Sequence, residues 1–105
     1  MTERIACVGA GRMGRGMAIA FAYAGMPVTL IDLKPRSADA WAQLSAEASA
    51  ELRGSLQLLS QLGAVPADAV ERIAARIRLV PDSDADAALA AATVIFEGVP
   101  ETLEA

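Results

Sequence analysis

The sequence predicts an α/β fold built on a doubly wound parallel sheet, and three observations carry that prediction. Short apolar runs alternate with helical segments, and a glycine-rich turn joins the first run to the first helix. The runs Ile5 to Val8 and Val94 to Phe96 are apolar without alternation, as strands covered on two faces are. A chain of 105 residues, 54% of them hydrophobic, is long enough to bury one core and makes one domain.

The first strand is expected within Arg4 to Val8 and the second, rich in β-branched residues, within Pro27 to Ile31. Between them Arg12 to Ala24 reads as a helix: Met13, Met17, Phe21 and Ala24 recur at helical spacing as an apolar stripe, and Gly25 stands where a left-handed C-terminal cap is usual. Leu33 to Arg36, with Pro35, is a loop. Ser37 is placed to cap a long helix carrying Trp41, Leu44, Ala48, Leu52, Leu59 and Leu62 on one side, which Gly63 ends. Pro66 suits the first turn of another helix with Val70, Ile73 and Ala74 facing inward, before a strand at Ile77 to Val80 closed by Pro81. Asp82 or Ser83 is expected to cap an alanine-rich helix from Asp84 to Ala91, followed by a strand at Thr93 to Glu97. Pro100 and Glu101 open one more helix just before Ala105, so the chain is expected to be part of a longer protein.

The net charge of −4 and pI near 4.6 supply no basic surface to displace counterions from a polyanion, which excludes nucleic-acid and anionic-membrane partners. The apolar stretch after Glu3 and Arg4 is shorter than a signal peptide or membrane span requires, and a soluble cytoplasmic protein is expected. Cys7, the single cysteine, sits inside an apolar run and reads as a buried structural thiol. The chain has no histidine, which removes the commonest general base and the commonest metal ligand together. No catalytic residue and no metal ligand is assigned within it.

The chemistry-bearing motif is Gly9-Ala10-Gly11-Arg12-Met13-Gly14. Its first glycine permits a tight turn, its second lets the backbone approach a pyrophosphate, and its third lets helix and strand pack closely. Helix-start amides then meet the anion, helped by the helix dipole. The hexapeptide follows an apolar strand, opens an amphipathic helix, and is followed at about the twenty-residue offset expected of a ribose-binding acid by Asp32. A carboxylate there accepts hydrogen bonds from both adenosine ribose hydroxyls and repels a 2′-phosphate, so the cofactor indicated is NAD rather than NADP, with FAD and a nucleoside-binding methyltransferase as minor alternatives. Lys34 and Arg36 lie close behind Asp32 and read as solvated loop residues. Arg12 and Arg15 either add charge at the pyrophosphate or are exposed surface arginines. The loop Glu97-Gly98-Val99-Pro100-Glu101 leaves the fourth strand, which belongs on the far side of the first strand from the second, so Val99 and Glu101 are placed beside the nicotinamide end; an acid at Glu101 also suits a helix start.

Three stretches together resemble the N-terminal domain of the L-3-hydroxyacyl-CoA dehydrogenase family: Gly9 to Ala18 (GAGRMGRGMA), Val28 to Asp32 (VTLID) and Val94 to Glu101 (VIFEGVPE). The resemblance covers nearly the whole chain. It implies a Rossmann-type domain, hydride transfer between NAD and the 3-hydroxyl carbon of a 3-hydroxyacyl-CoA, cofactor contacts at Asp32 and Glu101, and a histidine–glutamate pair in segments beyond residue 105. It also implies a homodimeric parent in fatty-acid metabolism, whose partner is a small-molecule substrate. One departure stands out: Lys34 is the only lysine, and Asp39, Glu47 and Glu51 outnumber Arg53 on the long helix, a charge that would not attract the phosphates of CoA. Dehydrogenases of free 3-hydroxy acids in the same family, similar to carnitine and gulonate dehydrogenase, need no such site and form the second reading. A non-catalytic nucleotide-binding or structural protein is the third, because fold alone does not fix function.

Overall fold

In the computed structural model, which describes residues 3–97, four short strands form a single parallel sheet. They are β1 (Ile5–Val8), β2 (Val28–Ile31), β3 (Ile77–Val80) and β4 (Val94–Glu97), in the spatial order β3-β2-β1-β4. Ile5 pairs with Val28 on one side and Val94 on the other, and Val28 pairs with Ile77. The chain therefore winds outward from β1 in one direction through β2 and β3, then returns across the sheet to β4, as a doubly wound fold requires.

Helices α1 (Arg12–Tyr23), α2 (Ala38–Gln61), α3 (Val70–Ala74) and α4 (Ala85–Ala91) complete the layers. On one face Ala18, with Met17 and Phe21 beside it, packs on Ile5, Cys7, Val28 and Leu30, and the Phe21 and Phe96 rings lie 4.9 Å apart. A second cluster joins Ala22 of α1 to Leu56 of α2 and to Val65, Val70 and Ile73. On the opposite face Ala85, Ala88, Leu89 and Ala92 cover Ala6, Val8, Ile31 and Val80. Burial of Leu30 and Ile31, both completely enclosed, contributes roughly 1.5–3 kcal/mol each. Cys7 is fully buried within β1, where desolvation pushes its thiol pKa up and keeps it protonated. Among the described residues no helix is long and apolar enough to cross a membrane.

Both expected glycine caps form. Gly25 and Gly63 take positive φ (96° and 83°), and each is flanked by the paired bonds of a Schellman motif, Met26 N–H to the Phe21 carbonyl in α1 and Ala64 N–H to the Leu59 carbonyl in α2. Ser37 caps α2, its hydroxyl accepting from the Ala40 amide at 3.1 Å.

Several expectations are corrected. The buried stripe of α1 is Gly14, Ala18 and Ala22, while Met13 and Ala24 are exposed. The helix lies so close to the sheet that only small residues fit along its contact line, and the larger apolar side chains flank it. On α2 the innermost residues are Ala48, Leu52 and Leu56, whereas Leu62 is 74% exposed because the chain turns away at Gly63. Pro66 precedes rather than enters a helical turn, and Ala67–Ala69 is 3₁₀ before α3 begins. Neither Asp82 nor Ser83 caps α4; Asp82–Asp84 forms its own 3₁₀ turn. Finally, β4 alternates, with Ile95 half exposed, because α4 lies over β2 and does not extend across the edge strand.

The tightest constraint is at Gly14. A Cβ built there would fall well inside the radius of the Gly9 carbonyl oxygen and 3.3 Å from Leu30 Cδ1, and the backbone atom cannot move aside without distorting β1. Gly14→Ala is therefore expected to destabilise the domain by about 2–3 kcal/mol, the upper range for overpacking. A thermal melt followed by circular dichroism checks this.

Candidate functional site

The carboxyl ends of β1, β2 and β3 are tied to one another by backbone bonds. Gly9 takes φ of 100°, a left-handed conformation that favours glycine, and this turns the chain sharply out of β1 while its N–H donates to the Ile31 carbonyl at 2.8 Å. The Asp32 N–H donates to the Val80 carbonyl at 2.9 Å. The glycine loop and the acid after β2 thus emerge at the same edge of the sheet with fixed relative positions.

Gly11 is the N-cap of α1 and brings no side chain to satisfy the first-turn amides, and the first turn contains no acidic residue. A Cβ built at Gly11 meets nothing within 4 Å. The start of α1 therefore presents its free N–H groups across open space, as an anion site needs. Arg15 braces this loop: its Nε donates to the Ala10 carbonyl at 2.8 Å, and its Nη1 forms an ion pair with Glu51 of α2. Arg15 is therefore partly buried and paired, and not a free surface arginine. Arg12 is exposed beside it, on a cleft of about 320 Å³ between α1 and α2 lined also by Gly16, Glu51, Leu52 and Ser55.

Asp32 is the only charged or polar residue counted as buried among the described residues, at 4% exposure. Its Oδ1 accepts from the Lys34 N–H at 3.3 Å, and its Oδ2 accepts from Arg36 Nε at 2.5 Å, with Arg36 Nη2 a longer 3.4 Å from Oδ1. The hydrogen bond to Asp32 raises the Arg36 pKa, so the guanidinium stays protonated. Arg36 is an exposed loop residue, as its sequence context suggested, and is also paired with the acid. Around them Trp41, Pro81, Asp82 and Ser83 complete a cleft of about 160 Å³. The sequence reading missed these walls because they come from α2 and from the turn after β3.

Gly9 to Gly14 and Asp32 are thus brought together. Val99 and Glu101 lie outside the described residues. A larger cavity of about 580 Å³, lined by Arg4, Pro27, Arg76 and Ala92 among others, sits at the opposite ends of the strands and contains no residue of the glycine loop. Among the described residues no group of three metal-ligating side chains converges.

Comparisons with known proteins agree on one family. The family model described as "3-hydroxyacyl-CoA dehydrogenase, NAD binding domain" matches residues 4–105. A 3-hydroxybutyryl-CoA dehydrogenase from Escherichia coli K12 is 31% identical with a TM-score of 0.73, over 99% of this chain and 20% of that one. FadB2 of M. tuberculosis is 27% identical with a TM-score of 0.75, over 96% of this chain and 32% of that one. The (S)-3-hydroxybutyryl-CoA dehydrogenase PaaH1 of Ralstonia eutropha is 26% identical with a TM-score of 0.72, over 99% and 33%. A search of curated proteins finds no match. The chain spans a third or less of each of these solved structures. From its four-stranded parallel sheet, its glycine loop and the family match over residues 4–105, the chain belongs to the NAD-binding domain family of the 3-hydroxyacyl-CoA dehydrogenases.

Proposed function

We propose that this chain is the cofactor-binding part of an oxidoreductase that moves a hydride between NAD and the 3-hydroxyl carbon of a 3-hydroxyacyl-CoA. The observation that carries the site assignment is the convergence, at one edge of the sheet, of the uncapped start of α1 with the buried Asp32 carboxylate. These residues fit a dinucleotide. The amides that follow Gly11, at Arg12, Met13 and Gly14, hold the pyrophosphate, with Gly9 and Ala10 shaping the loop beneath it. Asp32 accepts from the adenosine ribose, and Val99 and Glu101 take the nicotinamide ribose. When bound, NAD supplies the hydride acceptor. The chain's own residues bind and orient it, and Asp32 weighs against a 2′-phosphate by repulsion.

The acid–base pair of the reaction is assigned to the longer protein beyond residue 105, so this chain alone is expected to be inactive. That longer protein is read as a cytoplasmic homodimer acting on small molecules. The CoA ester is supported by the family match and by two relatives that are 3-hydroxybutyryl-CoA dehydrogenases. A free 3-hydroxy acid is the second reading, favoured by the acidic surface of α2. Asp39 and Glu47 are exposed there, and the only arginine of that helix, Arg53, is paired with Glu71 at 3.0 Å.

Three outcomes follow. Gly11→Ala has an allowed backbone (φ −79°) and open space for its methyl, so its melt is expected within about 1 kcal/mol of the parent. Its NADH affinity is expected to fall about tenfold or more by calorimetry, the equivalent of a lost charge-assisted bond. Asp32→Ala is expected to weaken NADH by about tenfold or more and to narrow the NADH to NADPH affinity ratio; an unchanged ratio would sink the ribose assignment. In steady-state assays of the longer protein, 3-hydroxybutyryl-CoA is expected to give a higher kcat/KM than free 3-hydroxybutyrate, and the reverse order would select the second reading.

A further inference from the structure

We infer that Arg36 is a specificity-setting counterion of Asp32, so that the NAD preference of this site is graded and is tuned by one loop arginine. The inference rests on the assignment of Asp32 as the ribose partner. A carboxylate offers about four acceptor positions. Three are already engaged, by Arg36 Nε at 2.5 Å, the Lys34 N–H at 3.3 Å and Arg36 Nη2 at 3.4 Å. Two ribose hydroxyls cannot both be received while all three donors stay. The 3.4 Å contact is the longest and therefore the weakest of them, so it yields to the ribose, and Nε keeps the carboxylate oriented.

A 2′-phosphate meets a different balance. Asp32 repels it, but the guanidinium that pairs with Asp32 lies on the wall of the same cleft and presents planar donors suited to phosphate. With Arg36 present, part of the Asp32 charge is neutralised and the phosphate has a cation to turn to. Without Arg36, Asp32 keeps the Lys34 N–H but loses the guanidinium paired with its carboxylate, and its repulsion of the phosphate rises. The residue that looks like a simple brace for the acid thus also limits how well the acid can discriminate. Two other charged groups lie on this wall: Asp82 adds repulsion, and Lys34 adds a point charge without the planar fork that suits a phosphate.

The test is calorimetric titration of the chain and its Arg36→Gln and Arg36→Lys variants with NADH and with NADPH, each variant first matched to the parent by its thermal melt. Arg36→Gln is expected to lower NADPH affinity about tenfold more than it lowers NADH affinity, the loss of one charge-assisted contact. Arg36→Lys, which keeps the charge and loses the fork, is expected to restore most of that ratio. If both cofactors weaken in equal proportion in Arg36→Gln, or the ratio does not move, Arg36 only holds the loop and the inference is overturned while the Asp32 assignment stands. If the parent chain binds neither cofactor, the site assignment fails and this inference falls with it. If Arg36→Gln does not fold, Arg36→Met, which keeps the stem and removes the charge, takes its place, and a discrimination ratio that does not move from the parent's in that variant overturns the inference.

Discussion

The absence of a side chain at Gly14 is the constraint on which the rest of the molecule depends. Because nothing separates its Cα from the Gly9 carbonyl, α1 approaches β1 at backbone distance, and the contact continues along Ala18 and Ala22. That approach fixes where the helix begins. It sets the free amides after Gly11 directly above the end of β1 and next to the end of β2. A helix held further out by ordinary side chains would pack well enough but would carry its N-terminus away from the sheet edge. The local rule of close packing and the geometry of the anion site are therefore one feature.

Charge at this edge is handled by pairing. The chain is acidic overall, yet it is placed in a family that binds a dinucleotide. Two of the basic side chains near the loop are already paired, while Arg12 at the helix start is exposed. Arg15 is committed to the Ala10 carbonyl and Glu51, and Arg36 is committed to Asp32. Oriented backbone N–H groups and the dipole behind them offer an anion an attraction that acts at short range. This arrangement suits a site that should admit one ligand while the surrounding surface stays indifferent to polyanions.

The order of strands and helices was legible in the sequence because glycines, prolines and apolar periodicity are local signals. Gly25, Gly63, Ser37 and Pro81 each punctuate the chain where they stand in the fold. The convergence of Gly9 to Gly14 with Asp32 was legible for the same reason, since a strand–turn–helix–strand unit has only one compact winding. What the pattern did not reveal depended on distance between elements. The stripe on α1 was misplaced because large apolar residues draw the eye, whereas close packing selects small ones. Leu56 was overlooked because its partners, Val65 and Val70, lie past a turn whose direction no periodicity encodes. The Asp32–Arg36 pair escaped notice because loop conformation decides it.

Trp41 is the only tryptophan of the chain, and it stands half-buried in the wall of the cleft that holds Asp32 and Arg36. Indole emission responds to nearby charge and polarity, and it overlaps the absorption of a reduced nicotinamide. With a dinucleotide seated as proposed, the domain would carry a built-in optical gauge at the adenosine end. A fragment that filled only the adenosine side would change the colour and yield of the indole, while a whole reduced dinucleotide would also drain its light into the nicotinamide. The arrival of the two ends of the cofactor would then be separable in the unlabelled protein.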